Sequence, residues 1–253
     1  MNKKEMNAIS ILTVSIAFME LTGIPSVIFI NIKIVDIEPM YFNLMINFLI
    51  IGIVAYFVLK YLCPNWELGL KKEGLANGLK KYGTVGVAVA VISFFAFYIG
   101  LMPFDLKPSL FPVLIEGVIY HIGVACIEEL YIRGMLLNLI EKFCYKSKNK
   151  TLIAILFSSV IFGVGHIFGV LNQSAFVILS KVVQTVGMGI FFGTVYKKTK
   201  NLWLPIIFHF LINVSALPYC FSDLQGYANL TLYIVVPTYF ILGIGSLMII
   251  NKD

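Results

Sequence analysis

Eight apolar stretches, each near the ~20 residues an α-helix needs to cross ~30 Å of hydrocarbon, divide this chain from end to end. They run over 8–30, 41–62, 82–102, 111–139, 152–170, 175–196, 202–219 and 229–250. Such a chain has few folding options. Inside hydrocarbon every backbone N–H and C=O must be satisfied within the protein, which leaves helices or a closed barrel. The short alternating strands of a barrel are absent, so the expected class is all-α, a polytopic membrane protein with about eight transmembrane helices. Composition agrees: 59% of the residues are hydrophobic and 13% charged, against ~45–50% and ~25% in soluble domains. A water-soluble globule of this size could not hide so much apolar surface. Stretch 111–139 exceeds one crossing and is expected to tilt or protrude, with Pro108 and Pro112 at its start. Stretches 152–170 and 175–196 are parted only by a short turn around Asn172. No hydrophilic segment is large enough to stand alone, so residues 1–253 form one integral membrane domain.

The charges assign the orientation. With the N-terminus inside, the inner loops collect Lys3, Lys4, Lys60, Lys71, Lys72, Lys80, Lys81, Lys142, Lys146, Lys148, Lys150, Lys197, Lys198, Lys200 and Lys252. The outer loops hold only Lys33 and Lys107. Cytoplasmic loops are the ones enriched in Lys and Arg, so this split predicts an N-in, C-in topology. The net charge of +6 is then a mark of topology, and its partner is anionic lipid, not nucleic acid. The first stretch resembles a secretory signal only superficially. It is long, it holds Glu20 and Pro25, and no small-x-small cleavage site follows. Cys63, Cys126, Cys144 and Cys220 have no CxxC spacing, which argues for apolar filler over a disulfide or thiolate framework.

Against that background the ionisable residues inside the spans stand out. Each costs roughly 2.5–3.5 kcal/mol to insert and is a functional hypothesis by default. The fourth span reads Glu128-Glu129-Leu130-Tyr131-Ile132-Arg133. Glu129 and Arg133 are i,i+4 and stack opposite charges on one face, while Glu128 points about 100° away. The fifth span carries Phe162 and His166, and the seventh carries His209 and Asn213, again i,i+4. Counted from the cytoplasmic ends, Glu128, His166, His209 and Asn213 lie roughly 16, 21, 10 and 16 Å deep at ~1.5 Å per residue. One band of the membrane therefore holds all four, and one polar cavity can gather them. A carboxylate, two imidazoles and an amide suit peptide hydrolysis, with a glutamate as general base and donors facing the oxyanion. A metal-assisted alternative has His166, His209 and a glutamate holding zinc and a bound water. HExxH is absent, as are GxSG and GxGD.

Glu128-Glu129-x-x-x-Arg133, Phe162-x-x-x-His166 and His209-x-x-x-Asn213 resemble the three ordered motifs of the CPBP family of intramembrane glutamic endopeptidases. That family comprises CAAX proteases and bacteriocin-processing Abi proteins. The motifs occur in family order on separate spans, within a motif-bearing core of about 111–219. The resemblance implies that Glu128 and His166 activate the water, that His209 and Asn213 form the oxyanion hole, and that Glu129, Arg133 and Phe162 support and line the site. It implies no cofactor, zinc being the alternative. The implied substrate is a membrane-associated protein or peptide, through C-terminal CAAX-type trimming or peptide and bacteriocin processing. The rival from another class is a non-catalytic, immunity-type membrane binding protein, or a small transporter, although the motifs have no counterpart in residues 1–110. Richness in Ile, Lys, Asn and Phe points to an AT-rich prokaryotic genome and so to a prokaryotic cell membrane.

Each motif also has a plainer reading. Buried Glu–Arg pairs are commonly structural, and a single intramembrane His can pin two helices by bonding a carbonyl. His121 lies on nearly the same face as Glu128 but about 10 Å further out, which favours packing. Tyr131 can pack or line the cavity. Glu20 and Lys181 are intramembrane charges without an assigned role, and the sequence does not show whether they meet.

Overall fold

The computed structural model describes residues 3–22, 39–101, 110–218 and 229–250. All regular structure among them is helical. The elements are α1 (Lys3–Thr22), α2 (Pro39–Leu62), α3 (Leu75–Leu101), α4 (Leu110–Glu129), α5 (Asn138–Phe143), α6 (Lys150–Gly165), α7 (Ala175–Thr199), α8 (Trp203–Val214) and α9 (Asn229–Ile250). A π-helical stretch, Leu130–Leu137, joins α4 to α5, and a 3-10 segment, His166–Val170, extends α6. Six helices, α1, α2, α3, α6 with its extension, α7 and α9, are long and apolar enough to cross a membrane.

Helices meet all eight expected stretches, yet two differ in kind from a simple crossing. The expected span 202–219 contains α8, which has only 12 residues, about 18 Å at ~1.5 Å per residue. That falls short of the ~30 Å hydrocarbon core. Expected span 111–139 is helical from Leu110 through Phe143 and includes the π-helical turn, whose looser winding no apolar pattern announces. The distal part of the first stretch, with Pro25, lies outside the described residues, as do Lys33, Lys107, Pro108 and Cys220.

Packing centres on α7, which lies against α6, α8 and α9, while α2 and α8 flank α4 and α3 lies along α8 and α9. Residues 187–197 of α7 are buried without a break. Small residues let α7 and α9 close: the Gly187 and Gly243 backbones meet, and a Cβ on Gly187 would stand 2.1 Å from the Tyr239 carbonyl oxygen. Such close approach is how helices associate in lipid, where water gives no hydrophobic push. Polar groups add to it, Ser93 pairing with the Tyr239 hydroxyl at 2.9 Å and Thr231 donating to the Ala96 carbonyl at 3.0 Å. The outer faces are apolar, with Phe57, Leu179 and Ile241 more than 60% exposed, the surface a lipid-bound bundle presents.

A polar clamp closes the end of the bundle that holds Asn138, Glu141 and Lys197. Trp66 Nε1 and Asn138 Nδ2 both donate to the Gly134 carbonyl at 3.0 Å. Asn138 also receives Lys197 Nζ at 2.6 Å and donates to the Tyr196 hydroxyl at 2.9 Å. Glu141 takes Lys197 and Thr151. Burial pushes its carboxyl up, but those hydrogen bonds and the charges of Lys197 and Lys200 outweigh it and hold it below the usual 4.5.

Candidate active site

Glu128 and Glu129 are the last two residues of α4, where the winding loosens into the π-helical turn. π-helical turns leave carbonyls off the regular ladder and recur at functional sites. Side chains from elsewhere satisfy this one, since the Trp66 and Asn138 bonds to Gly134 described above fall within it.

Glu129 points into the bundle and is wholly buried. Its Oε1 accepts Arg133 Nη1 at 2.9 Å and faces His209 Nδ1 at 2.8 Å. Arg133, also wholly buried, donates through Nη2 to the Gly189 carbonyl at 3.4 Å. Its guanidinium carbon lies 4.4 Å from the centre of the Phe162 ring and 5.3 Å from that of Phe192. The cation is thus matched by one carboxylate and two aromatic faces, which offsets its desolvation. His209 stacks on Phe192 with 5.2 Å between ring centres. Its Nε2 stands 3.5 Å from Glu128 Oε2. A relay of four charged or chargeable groups therefore runs Arg133, Glu129, His209, Glu128.

Glu128 turns the other way, as the helical offset requires, and lines a cavity of about 660 Å³ together with His166 and Phe162. His166 Nδ1 is 2.8 Å from the Phe162 carbonyl oxygen. A carbonyl only accepts, so Nδ1 carries the proton, and in the neutral ring Nε2 is left as an acceptor. The Phe162 ring meets His166 edge-on at 4.6 Å. Glu128 Oε2 is buried and has His209 Nε2 at 3.5 Å, beyond a normal hydrogen bond, while the side chain as a whole keeps 15% of its surface exposed and lines the cavity.

The sequence expectation was one cavity gathering Glu128, His166, His209 and Asn213. Glu128 and His166 share the cavity; His209 sits behind Glu128, and His209 and Asn213 are not among the residues lining it. Asn213 stands one turn beyond His209 on α8, half-buried. His121 packs against Tyr120, 5.3 Å between ring centres, and is likewise off the cavity wall. Three residues without an assigned role do face the cavity: Glu20, Tyr131 and Lys181. The Tyr131 hydroxyl donates to the Glu20 carboxylate. Their only signal in the sequence is that a charge stands where lipid should forbid it, and that signal names no partner. Phe192 and Gly189 left no signal, being an ordinary aromatic and a backbone carbonyl.

A zinc ion needs three converging donors. Among the described residues no group of three or more His, Cys, Asp or Glu side chains is arranged to hold a metal, and both nitrogens of His209 face carboxylates. The arrangement as it stands offers instead a carboxylate and an imidazole acceptor on one cavity wall, backed by an ion relay.

Residues 108–215 match the family model "Type II CAAX prenyl endopeptidase Rce1-like". No curated protein matches the chain significantly. The matched stretch holds every motif residue from Glu128 to Asn213, and the family is one of proteases.

Proposed function

We propose that this chain, whose residues 108–215 carry an Rce1-like domain, is an integral membrane endopeptidase of glutamic type that hydrolyses a peptide bond of a membrane-associated protein or peptide. One observation carries the reading: Glu128, whose side chain keeps some exposure, and His166, with its Nε2 left as an acceptor, line the same cavity. A water between them donates one proton to Glu128 and one hydrogen bond to His166. Its oxygen bonds to the scissile carbonyl carbon, and the carbonyl oxygen takes the negative charge. Glu128 then delivers the proton to the departing amine as the C–N bond breaks.

His209 and Asn213 are assigned to the oxyanion, which requires the scissile carbonyl to reach past Glu128 towards α8, because neither residue lines the cavity. His209 already commits Nδ1 to Glu129, so it donates from Nε2 when that nitrogen is also protonated. Glu129 and Arg133 hold the imidazole in place, and Phe162 lines the cavity. The reading requires no cofactor from the protein's own residues. In the same reading the termini are cytoplasmic, the membrane is prokaryotic, and the substrate is CAAX-like or a peptide precursor.

The test uses purified full-length protein in liposomes with lipid-anchored peptides. General-base catalysis contributes about 10²–10⁴-fold, so Glu128→Gln should lose at least that much while inserting and accumulating like wild type. Cleavage at the wild-type rate by Glu128→Gln overturns the mechanism. Full activity of wild type in a chelator separates the water-only route from the zinc alternative, for which zinc must restore lost cleavage. A protein that protects cells equally well with Gln at 128 is a binder instead.

A further inference from the structure

Another cleft, of about 380 Å³, runs between α2, the C-terminal part of α4 and the start of α8. Glu128, His166 and His209 do not line it, although Phe48 borders both it and the cavity of Glu128. Its rim is open to the surroundings of the bundle, Phe57 being 65% and Ile53 55% exposed. The only polar atoms on its lining side chains are the ends of Tyr56 and Trp203 and the Cys126 thiol, so it suits a hydrocarbon. Shape narrows the choice. The α2 wall, from Leu49 to Phe57, rises about 12 Å at ~1.5 Å per residue. A space of 380 Å³ and that length is about 6 Å across. Carbon–carbon contacts of ~3.5–4.0 Å set the thickness of a hydrocarbon chain, so one chain fits and two side by side do not.

Charge at one mouth supplies the other half of the ligand. Leu70 and Leu202 line that end, and their two loops are stitched together. Leu202 N donates to the Gly69 carbonyl at 2.9 Å, and Asn201 Nδ2 donates to the carbonyls of Lys71 and Glu73 at 2.7 and 2.9 Å. The stitch sets Lys71, Lys72 and Lys200, all exposed, beside the mouth. The side chains of Lys71 and Lys72 have no partner among the described residues, while Lys200 acts through space on Glu141. Within 69–73 and 200–202 the single acid is Glu73, against three lysines. Glu67 faces a separate polar pocket with Asn138 and Glu141. Trp203, 40% exposed, stands at the same mouth, and Trp gathers at headgroup level, where its ring is apolar and its N–H is wet.

We propose that this cleft binds an anionic phospholipid, with one acyl chain between α2, α4 and α8 and the phosphate on Lys71, Lys72 and Lys200. Basic clusters at a membrane surface select anionic headgroups. A chain already in lipid gains little from an apolar cleft, so the headgroup supplies selectivity and the cleft fixes where the lipid sits. The seated chain packs on Leu130, the first residue of the π-helical turn.

The experiment places full-length protein in liposomes doped with a phospholipid carrying a photoreactive diazirine in one acyl chain, made as phosphatidylglycerol and as phosphatidylcholine. Cross-links are mapped by peptide mass spectrometry. Labelling of the cleft is divided by labelling of the exposed α9 face around Ile241 in the same sample, so partial misfolding of a variant weighs on both terms. In wild type this ratio should be higher for phosphatidylglycerol by roughly fivefold or more, the factor one lysine supplies near an anionic surface. The Lys71→Gln/Lys72→Gln double variant should bring the two lipids close to parity. Gly52→Leu fills the cleft, because a Cβ there makes ordinary 3.8 Å contacts with Ile127 and Leu130, and should lower cleft labelling by both lipids to the α9 level. Equal ratios for the two lipids in wild type, an unchanged preference in the double variant, or undiminished labelling in Gly52→Leu overturns the proposal. So does labelling that a lipid-anchored peptide displaces and added phosphatidylglycerol does not, because the occupant is then a substrate's anchor.

Discussion

At the scale of single residues the site is an exercise in burying charge without stranding it. Arg133 and Glu129 have essentially no solvent access, and the shared oxygen Glu129 Oε1 serves both Arg133 and His209. Removing one member of such a set leaves the other charged and desolvated, which costs about 3–5 kcal/mol. Glu129→Ala should therefore lower the unfolding midpoint of the detergent-solubilised protein far more than Glu128→Ala, measured by thermal denaturation. Glu128 faces the cavity, where water can reach it, so its loss should remove activity and spare the fold. Equal destabilisation by both substitutions would show that Glu128 is a second structural charge. Arg133→Lys is not a mild change here either. An ammonium cannot reproduce the flat contact with the Phe162 ring at 4.4 Å while also reaching Glu129 and Gly189.

Between elements the decisive contacts are small residues and displaced carbonyls. Gly187 has no room for a methyl group, since the obstructing atom is the Tyr239 main-chain oxygen on α9 and backbone cannot swing aside as a side chain can. Gly187→Ala must push α7 and α9 apart, and overpacking of this kind costs typically about 1–3 kcal/mol. A lowered thermal midpoint with reduced activity is the expected result. Gly245→Ala is the control on α9, because a Cβ there meets nothing within 4 Å and the residue is not among those lining the cavity. The π-helical turn works by the opposite device. Its loosened winding separates the two adjacent glutamates from the chain that follows, and Trp66 with Asn138 holds the Gly134 carbonyl from the side. Adjacent in sequence, Glu128 and Glu129 part in space: Glu128 ends the relay on the cavity wall, and Glu129 is its buried centre between Arg133 and His209.

For the molecule as a whole, lysine placement predicts that both termini lie on the cytoplasmic side. Tags at each end should be digested together by protease in inverted membrane vesicles and protected together in intact cells; opposite behaviour would mean an odd number of crossings. That test has force because α8, at 12 residues, does not reach across the bilayer as helix. Hydropathy reports how apolar a stretch is, not where its helix ends, so 202–219 looked like any other span. The helical class, the approximate position of the long helices and the presence of buried charges were legible in the sequence, because lipid leaves a chain few alternatives and makes each buried charge conspicuous. What the amino-acid order could not show was which of these charges share a space. Depth along a helix gives one coordinate, and it placed Glu128, His166, His209 and Asn213 in a common band. The other two coordinates come from how α1, α4, α6, α7 and α8 pack. They put Glu20 and Lys181 on the cavity beside Glu128 and His166 and left His209 behind the wall. Sequence alone determined that charges are buried in this membrane protein; tertiary structure decided which face each other, because that depends on helix rotation and neighbour choice, set by contacts such as Gly187 on Tyr239 far from the charges themselves.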